Sequence, residues 1–342
     1  MMTVYSEKHF LRDARTELHR GELVRPHECA ERAEFVLDRV KASGLGGIVS
    51  PEQFGLEPVL RVHDAQFVDF LGSAWKDWVA AGNKGEAIPD CWPARRMVQR
   101  IPDSISGKLG YYAMAAETSI SAGSWEAACA SADVALTAAA RIRVGERGAF
   151  ALCRPPGHHA ARDLYGGYCF LNNAAIAAQY LRDHGSSRVA ILDVDFHHGN
   201  GTQDIFYERS DVLYSSLHGD PLDAFPYFSG YADEIGAGEG VGYNQNLPLP
   251  RGTDFAGWRA ALDIALARID RFAPSALVVS LGVDTFEHDP ISFFKLRTDD
   301  FTHYGRLIGA LRIPTLFVLE GGYAVAEIGV NAVNVLQGFE AP

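Results

Sequence analysis

The run Asp193-Val194-Asp195-Phe196-His197-His198-Gly199-Asn200-Gly201 holds the densest set of chemistry-bearing residues in this chain. It closes a β-branched apolar stretch, 189–196 (VAILDVDF), that reads as a buried strand. Alternate side chains of a strand share a face, so an extended chain would turn Asp193, Asp195 and His197 to one side. Two carboxylates and an imidazole in such a place are costly unless paired or bound to a cation. Asp284 ends a second apolar run in the same way. Asp195, His197 and Asp284 would then make an O, N, O donor set with room for water, the pattern of a catalytic zinc site. The same set also suits Fe(II) or Co(II). A lone Asp-x-His is usually a surface turn. Here the strand-end position, a second strand-end Asp and a double His occur together, which points to metal.

Proton chemistry is available nearby in kind. Arg154-Pro155-Pro156-Gly157-His158-His159 sets two imidazoles on a loop stiffened by two prolines. A His beside an activated water acts as general base and then as general acid. Each imidazole needs an acceptor that sets its tautomer, and Asp193 and Asn200 are the natural ones. Glu320-Gly321-Gly322-Tyr323 follows another apolar run. Its glycines allow a sharp turn and close approach, and the Tyr hydroxyl could donate to a carbonyl oxygen as charge develops. Neither Gly199-Asn200-Gly201 nor Gly236-Ala237-Gly238 forms a dinucleotide fingerprint.

These groups must be positioned by regular elements. Apolar runs at 148–153, 189–196, 212–218, 276–284 and 315–322 read as strands buried on both faces. Segments 125–143, 172–184, 254–272, 299–311 and 324–336 carry helical spacing. Such alternation predicts an α/β fold, a single domain with a mainly parallel, doubly wound sheet. In those sheets ligands sit beyond the carboxyl ends of the strands, where the unusual residues cluster. The Trp-rich stretch at about 72–110, with Trp75, Trp78 and Trp92, breaks the pattern and reads as an insertion. Exposed tryptophans there would suit a subunit contact, and a loop folded back on its own core is the equal alternative.

The net charge of −12 argues against nucleic acid as the main partner and permits a cationic substrate. The five cysteines are scattered and odd in number, which suits a reducing compartment. Cys153 and Cys169 sit in apolar runs and read as small buried hydrophobes. No basic-then-apolar leader opens the chain, and no run reaches the roughly 20 apolar residues of a membrane span. A cytoplasmic enzyme with no membrane partner is the expectation.

RPPGHH (154–159), GGYCFLNNAA (166–175), ILDVDFHHGNGTQDIFY (191–207), SLHGDP (216–221), SLGVDTF (280–286) and EGGY (320–323) resemble the histone deacetylase family of the arginase/deacetylase fold. The resemblance spans nearly the whole chain. RTELHRGELV (15–24), the Trp-rich stretch and FPYFSGYADEIG (225–236) resemble the bacterial acetylpolyamine amidohydrolases within it. The resemblance implies one zinc per subunit on Asp195, His197 and Asp284, with His159 as base and acid and His158 as its electrostatic partner. Tyr323 would polarise the acetyl carbonyl. Tyr168 and Phe225 would wall a narrow tunnel, and Glu117 and Gly167 would meet the substrate. A structural K⁺ is implied on Asp193, Ser216 and the carbonyls of Asp195, His197 and Leu217, and a second near Phe206, Arg209, Val212 and Tyr243. The 72–110 stretch would build a homodimer. The partner implied is a small acetylated cationic amine. An acidic residue is expected at position 106, where Ser106 stands, which leaves chain-length preference open. Arginase-like relatives need further carboxylates at positions held here by Gly199 and Phe286, so one metal is expected. A protein lysine deacetylase and a non-catalytic metal-binding module are the competing readings.

Overall fold

The computed structural model describes residues 1–341. In chain order the elements begin with β1 (Met2–Val4), β2 (Glu17–His19), β3 (Glu22–Val24), α1 (Ala30–Ser43), β4 (Ile48–Val49), α2 (Glu57–Leu60) and α3 (Ala65–Ala80). There follow α4 (Ile105–Tyr112), α5 (Ser124–Arg143), β5 (Gly148–Ala151), α6 (Asn173–Asp183), β6 (Val189–Asp193), α7 (Asn200–Phe206) and β7 (Val212–Gly219). The chain closes with β8 (Asn244–Leu249), α8 (Phe255–Phe272), β9 (Ala276–Leu281), α9 (Thr298–Ala310), β10 (Thr315–Leu319) and α10 (Ile328–Glu340).

Eight strands form one sheet in the order β4-β1-β5-β10-β9-β6-β7-β8, with every pairing parallel. The strand residues alternate between two cores. Ala149, Ile191, Val278 and Leu316 pack on one face with α3, α5 and α6. Phe150, Leu192, Val279 and Phe317 pack on the other with α1, α8, α9 and α10. Burial on both faces is why these strands read as continuous apolar runs rather than alternating ones. No described helix is long and apolar enough to cross a membrane.

Several boundaries differ from the sequence expectation. β6 stops at Asp193 and β9 at Leu281, so Asp195, His197 and Asp284 lie in the loops beyond them and not in extended strand. The cause is local: Asp193 Oδ1 accepts Asp195 N at 3.2 Å and Asp195 Oδ1 accepts His197 N at 2.8 Å. Such i to i+2 bonds draw the backbone out of a ladder. The last helix begins at Ile328 rather than 324, because Asp289 Oδ2 holds the amides of Tyr323 (2.7 Å) and Ala324 (3.3 Å) in the preceding loop.

The expected insertion is shorter than 72–110. Residues 72–80 complete α3, which Asp64 caps by accepting from Gln66 N and Phe67 N. Phe67, Phe70, Leu71 and Ala74 give that helix its buried face. The irregular part is 81–104. The tryptophans are not exposed: Trp75 and Trp78 pack against the first core, and Trp92 donates to Ala113 O at 3.0 Å. Cys153 and Cys169 are buried, as their surroundings suggest.

Candidate active site

The loops after β5, β10, β9 and β6 carry the reactive residues, and these are four neighbouring strands at the centre of the sheet. Their carboxyl ends therefore deliver residues from 154 to 323 to one place. Asp195, His197 and Asp284 are all buried, and one ligand atom from each lies within 4.8 Å of the others. His197 Nδ1 is 3.2 Å from Asp195 Oδ1 and 3.0 Å from Asp284 Oδ2. The other carboxylate oxygens are taken: Asp195 Oδ2 accepts Gly321 N at 2.8 Å, and Asp284 Oδ1 accepts Phe196 N at 2.7 Å. Backbone donors thus turn Asp284 Oδ2 and Asp195 Oδ1, the latter also accepting His197 N, toward the same nitrogen. A Cβ at Gly321 would lie 2.4 Å from Asp284 Oδ2 and 2.6 Å from Asp195 Oδ2, so only glycine lets the chain pass here.

This donor set fits a single divalent cation. Burial, and then the neighbouring Asp195, push Asp284 up to about 8. Two carboxylates facing one another in a dry pocket repel unless positive charge lies between them. Gly199 and Phe286 offer no oxygen side chain for a second ion.

The two imidazoles next to this triad differ in environment. His158 Nδ1 lies 3.1 Å from Asp193 Oδ2. Burial opposes its charge, but Asp195 and Asp193 outweigh that and raise it to about 10. His159 Nδ1 lies 2.7 Å from Asn200 Oδ1. The Asn200 amide nitrogen faces Met114 Sδ (3.2 Å) and His159 O (3.4 Å), so its oxygen must face the ring. His159 Nδ1 is then the donor and Nε2 carries the lone pair. Burial, with His158 and His197 beside it, holds His159 well below the usual imidazole value. The two environments pull the imidazoles in opposite directions, His158 toward its charged form and His159 toward its neutral one.

Above the triad opens a cavity of about 450 Å³, lined by His159, His197, Tyr168, Phe225, Tyr323 and Glu117 among others. His159 and Phe225 meet edge to face at 5.1 Å, and Tyr168 lies 5.5 Å from Tyr323. Tyr323 is fixed from behind. Arg32 donates to Gly322 O at 2.7 Å and its guanidinium sits 4.8 Å from the Tyr323 ring centroid. Glu28 pairs with both Arg32 (3.1 Å) and Arg154 (2.7 Å), and these arginines, against the effect of burial, hold its carboxyl below the usual range. Gly167, with φ +57, rests against the His159 ring, where a Cβ would come within 2.2 Å, and its N–H donates to Glu117 at 2.6 Å.

The expected residues outside the triad fall in three places. Asp193, Ser216 and Leu217 lie together where β6 and β7 pair, with Ser216 Oγ 2.8 Å from His218 Nδ1. Phe206, Arg209, Val212 and Tyr243 lie around the start of β7, where Phe206 O accepts Arg209 N and Tyr243 O accepts Tyr214 N. Ser106 is exposed on α4 and does not line the cavity. Arg32 and Asp289 were missed from sequence, and Glu17 and Glu320, which lie in segments the sequence singles out, were given no role of their own there. Glu320 accepts Gly157 N at 2.6 Å and His158 N at 3.1 Å. The β2–β3 hairpin that carries Glu17 was also missed. Its signal was a two-residue Arg20-Gly21 loop, both residues at positive φ.

The histone deacetylase domain profile matches residues 26–339. The chain is 57% identical over 340 residues to acetylpolyamine amidohydrolase 2 of Pseudomonas aeruginosa, covering 99% of each chain. It is 57% identical over 338 residues to the acetylpolyamine amidohydrolase of Mycoplana ramosa, again with 99% of each covered. The crystal structure of acetylpolyamine aminohydrolase from Burkholderia pseudomallei superposes with a TM-score of 0.95 at 43% identity, covering 100% of this chain and 99% of that one.

Proposed function

The chain belongs to the histone deacetylase family of zinc-dependent deacetylases, and on that premise we propose that it hydrolyses the acetyl amide of small cationic amines. Acetylated polyamines and diamines are the substrate class, and acetate and the free amine are the products. The relatives with full-length coverage bear the name acetylpolyamine amidohydrolase. The observation that carries the reading is the pairing of a neutral His159 and the cavity-facing Tyr323 beside the Asp195–His197–Asp284 triad, in a cavity whose lining carries the carboxyl groups of Glu17, Glu117 and Asp223 together with Arg20 and Arg251. Three carboxyl groups against two arginines suit an ammonium better than an acidic chain.

Zinc bound by Asp195, His197 and Asp284 supplies Lewis acidity to the water and the amide carbonyl. The protein does the rest. His159 Nε2 takes the proton of the attacking water and passes it to the departing amine nitrogen. His158, facing Asp195 and hydrogen-bonded to Asp193, carries positive charge beside the triad and stabilises the negative charge that develops on the carbonyl oxygen. Tyr323 donates its hydroxyl hydrogen to the carbonyl oxygen as it gains charge. Tyr168 and Phe225 flank the methylene chain and exclude water. Glu117 and the Gly167 backbone set the depth of the amine. No serine or cysteine nucleophile is needed, since water is the attacking group.

The same reading proposes a structural potassium on Asp193, Ser216 and the carbonyls of Asp195, His197 and Leu217, a second by Phe206, Arg209, Val212 and Tyr243, and a homodimer through the 72–110 stretch, in the cytoplasm. The deciding experiment measures acetate release from acetylputrescine, acetylcadaverine, acetylspermidine and an acetyl-lysine peptide, in potassium or potassium-free buffer, before and after chelation. Turnover of the diamines, lost on chelation, restored by Zn²⁺ and weaker without potassium, is expected. Turnover of the peptide alone would transfer the assignment to a protein lysine deacetylase.

A further inference from the structure

We propose that Glu17, His19 and His27 form a second site for a divalent transition metal, at the mouth of the cavity. The hairpin builds it. β2 and β3 pair Glu17 with Val24 and His19 with Glu22. Alternation along β2 sets Glu17 and His19 on one face and Leu18, 44% exposed, on the other. Just past β3 the chain folds back, and His27 N donates to Glu17 Oε2 at 2.9 Å. The three side chains then offer one ligand atom each, all within 4.8 Å of one another. The His19 and His27 rings meet edge to face at 5.3 Å.

Three features suit this cluster to a metal rather than to packing. Two imidazoles and one carboxylate with open positions is a recurrent donor set for Zn²⁺, Ni²⁺ and Fe²⁺. Burial lowers the proton affinity of His27, which keeps its lone pair available near neutral pH. Glu17 is a buried carboxylate, 2% exposed, whose ion-pair contact within 4 Å among the described residues is His19 Nδ1 at 3.9 Å, with the His27 imidazole and the Glu117 carboxyl also within reach of its charge. Its hydrogen-bond partners are neutral: the Tyr168 hydroxyl at 2.8 Å and the His27 amide. A buried anion so placed lacks a cation. Ligands of one zinc sit roughly 3–3.5 Å apart, from bonds of about 2.0–2.1 Å, and the half-buried imidazoles reach that by rotating. A divalent ion here competes with the Tyr168 hydroxyl for Glu17. It also puts positive charge in the path of an incoming ammonium, so the bound metal inhibits.

Counting metal tests the site without turnover. The protein is stripped, then dialysed against rising free Zn²⁺, and bound zinc is measured by elemental analysis. Wild type should reach two zinc per chain, and His27→Ala and His19→Gln only one. Losing a ligand should weaken the second zinc by about a hundredfold or more, since loss even of an outer partner costs roughly ten- to a hundredfold. A readout that needs no variant is protection of His19 and His27 from diethyl pyrocarbonate by the second equivalent of Zn²⁺, followed by mass spectrometry. One zinc per wild-type chain, or two retained by both variants, overturns the proposal.

Discussion

At the scale of single residues, the decisive group is Tyr323. Its ring lines the cavity, while its backbone is pinned by Asp289 and its neighbour's carbonyl by Arg32. Removing the hydroxyl should leave that scaffold standing and delete one donor to the developing oxyanion. Tyr323→Phe should therefore lower kcat by about a hundredfold or more with little change in KM, as loss of such a donor does elsewhere. Steady-state kinetics on one acetylated diamine check it, and wild-type kcat would remove Tyr323 from the scheme. Residues of this kind were legible in the sequence because short motifs carry them: the triad, both histidines, Asp193 and Asn200 converge as their types suggest. Arg32, Asp289 and Glu320 were not legible. Each acts on a backbone group distant in sequence, and nothing in its immediate neighbours marks that use.

At the scale of elements, His63 shows how a joint between helices becomes a pH dependence. It follows α2 and is buried, with Nδ1 2.9 Å from Ala161 O and Nε2 accepting Asn172 N at 2.9 Å. Asn172 in turn caps α6 by accepting Ala175 N at 2.9 Å. The ring thus ties α2, the double-His loop and α6 together as a neutral imidazole. Burial lowers it to about 4, against opposing hydrogen bonds to backbone. The unfolded chain protonates this group below about 6.5, whereas the folded chain resists until about 4. The unfolded state binds more protons in that window, so stability is full above it and falls as pH drops through it. Urea unfolding should show His63 contributing about 2–3 kcal/mol to the loss between pH 7 and 4.5. His63→Gln should be less stable at pH 7 yet lose that much less on acidification. Equal losses in the two proteins would show that the ring is not held neutral. The elements themselves were unevenly legible. Five strands and five helices were found because burial on both faces, or a long amphipathic face, writes a strong pattern. β8, sequence NQNLPL, was missed: it is an edge strand, partly exposed, with Pro248 inside it. α3 is absent from the sequence expectation although Asp64 and the 67, 70, 71, 74 spacing announce it, because Gly72, Trp75 and Trp78 give its second half the composition of an irregular excursion.

At the scale of the whole molecule, parallel order was inferable from alternation of strand and helix, but strand order was not. The chain visits the sheet edge with β4 and reaches the centre last, with β10 inserted between β5 and β9. That crossing brings Tyr323 beside residues from the loops of β5 and β9, and only assembled tertiary packing encodes it. The 81–104 excursion raises the remaining question of how copies associate. Its base is anchored: Ala87 pairs with Ile120, and Trp92 donates to Ala113 O. Its tip is not covered. Met97, Val98 and Ile101 are 59, 72 and 38% exposed, interleaved with Arg95, Arg96 and Arg100. Scattered exposed apolar residues are ordinary, but three within five positions on an anchored loop, beside three arginines, resemble the composition of an interface core. If this tip joins two copies, wild type should sediment near twice 37.3 kDa. Val98→Asp combined with Ile101→Asp should sediment as the 37.3 kDa monomer with unchanged circular dichroism. Both positions face solvent in the single chain, so the variant should fold, and only association should respond. A wild-type protein that sediments as a monomer throughout the accessible concentration range would dismiss the dimer.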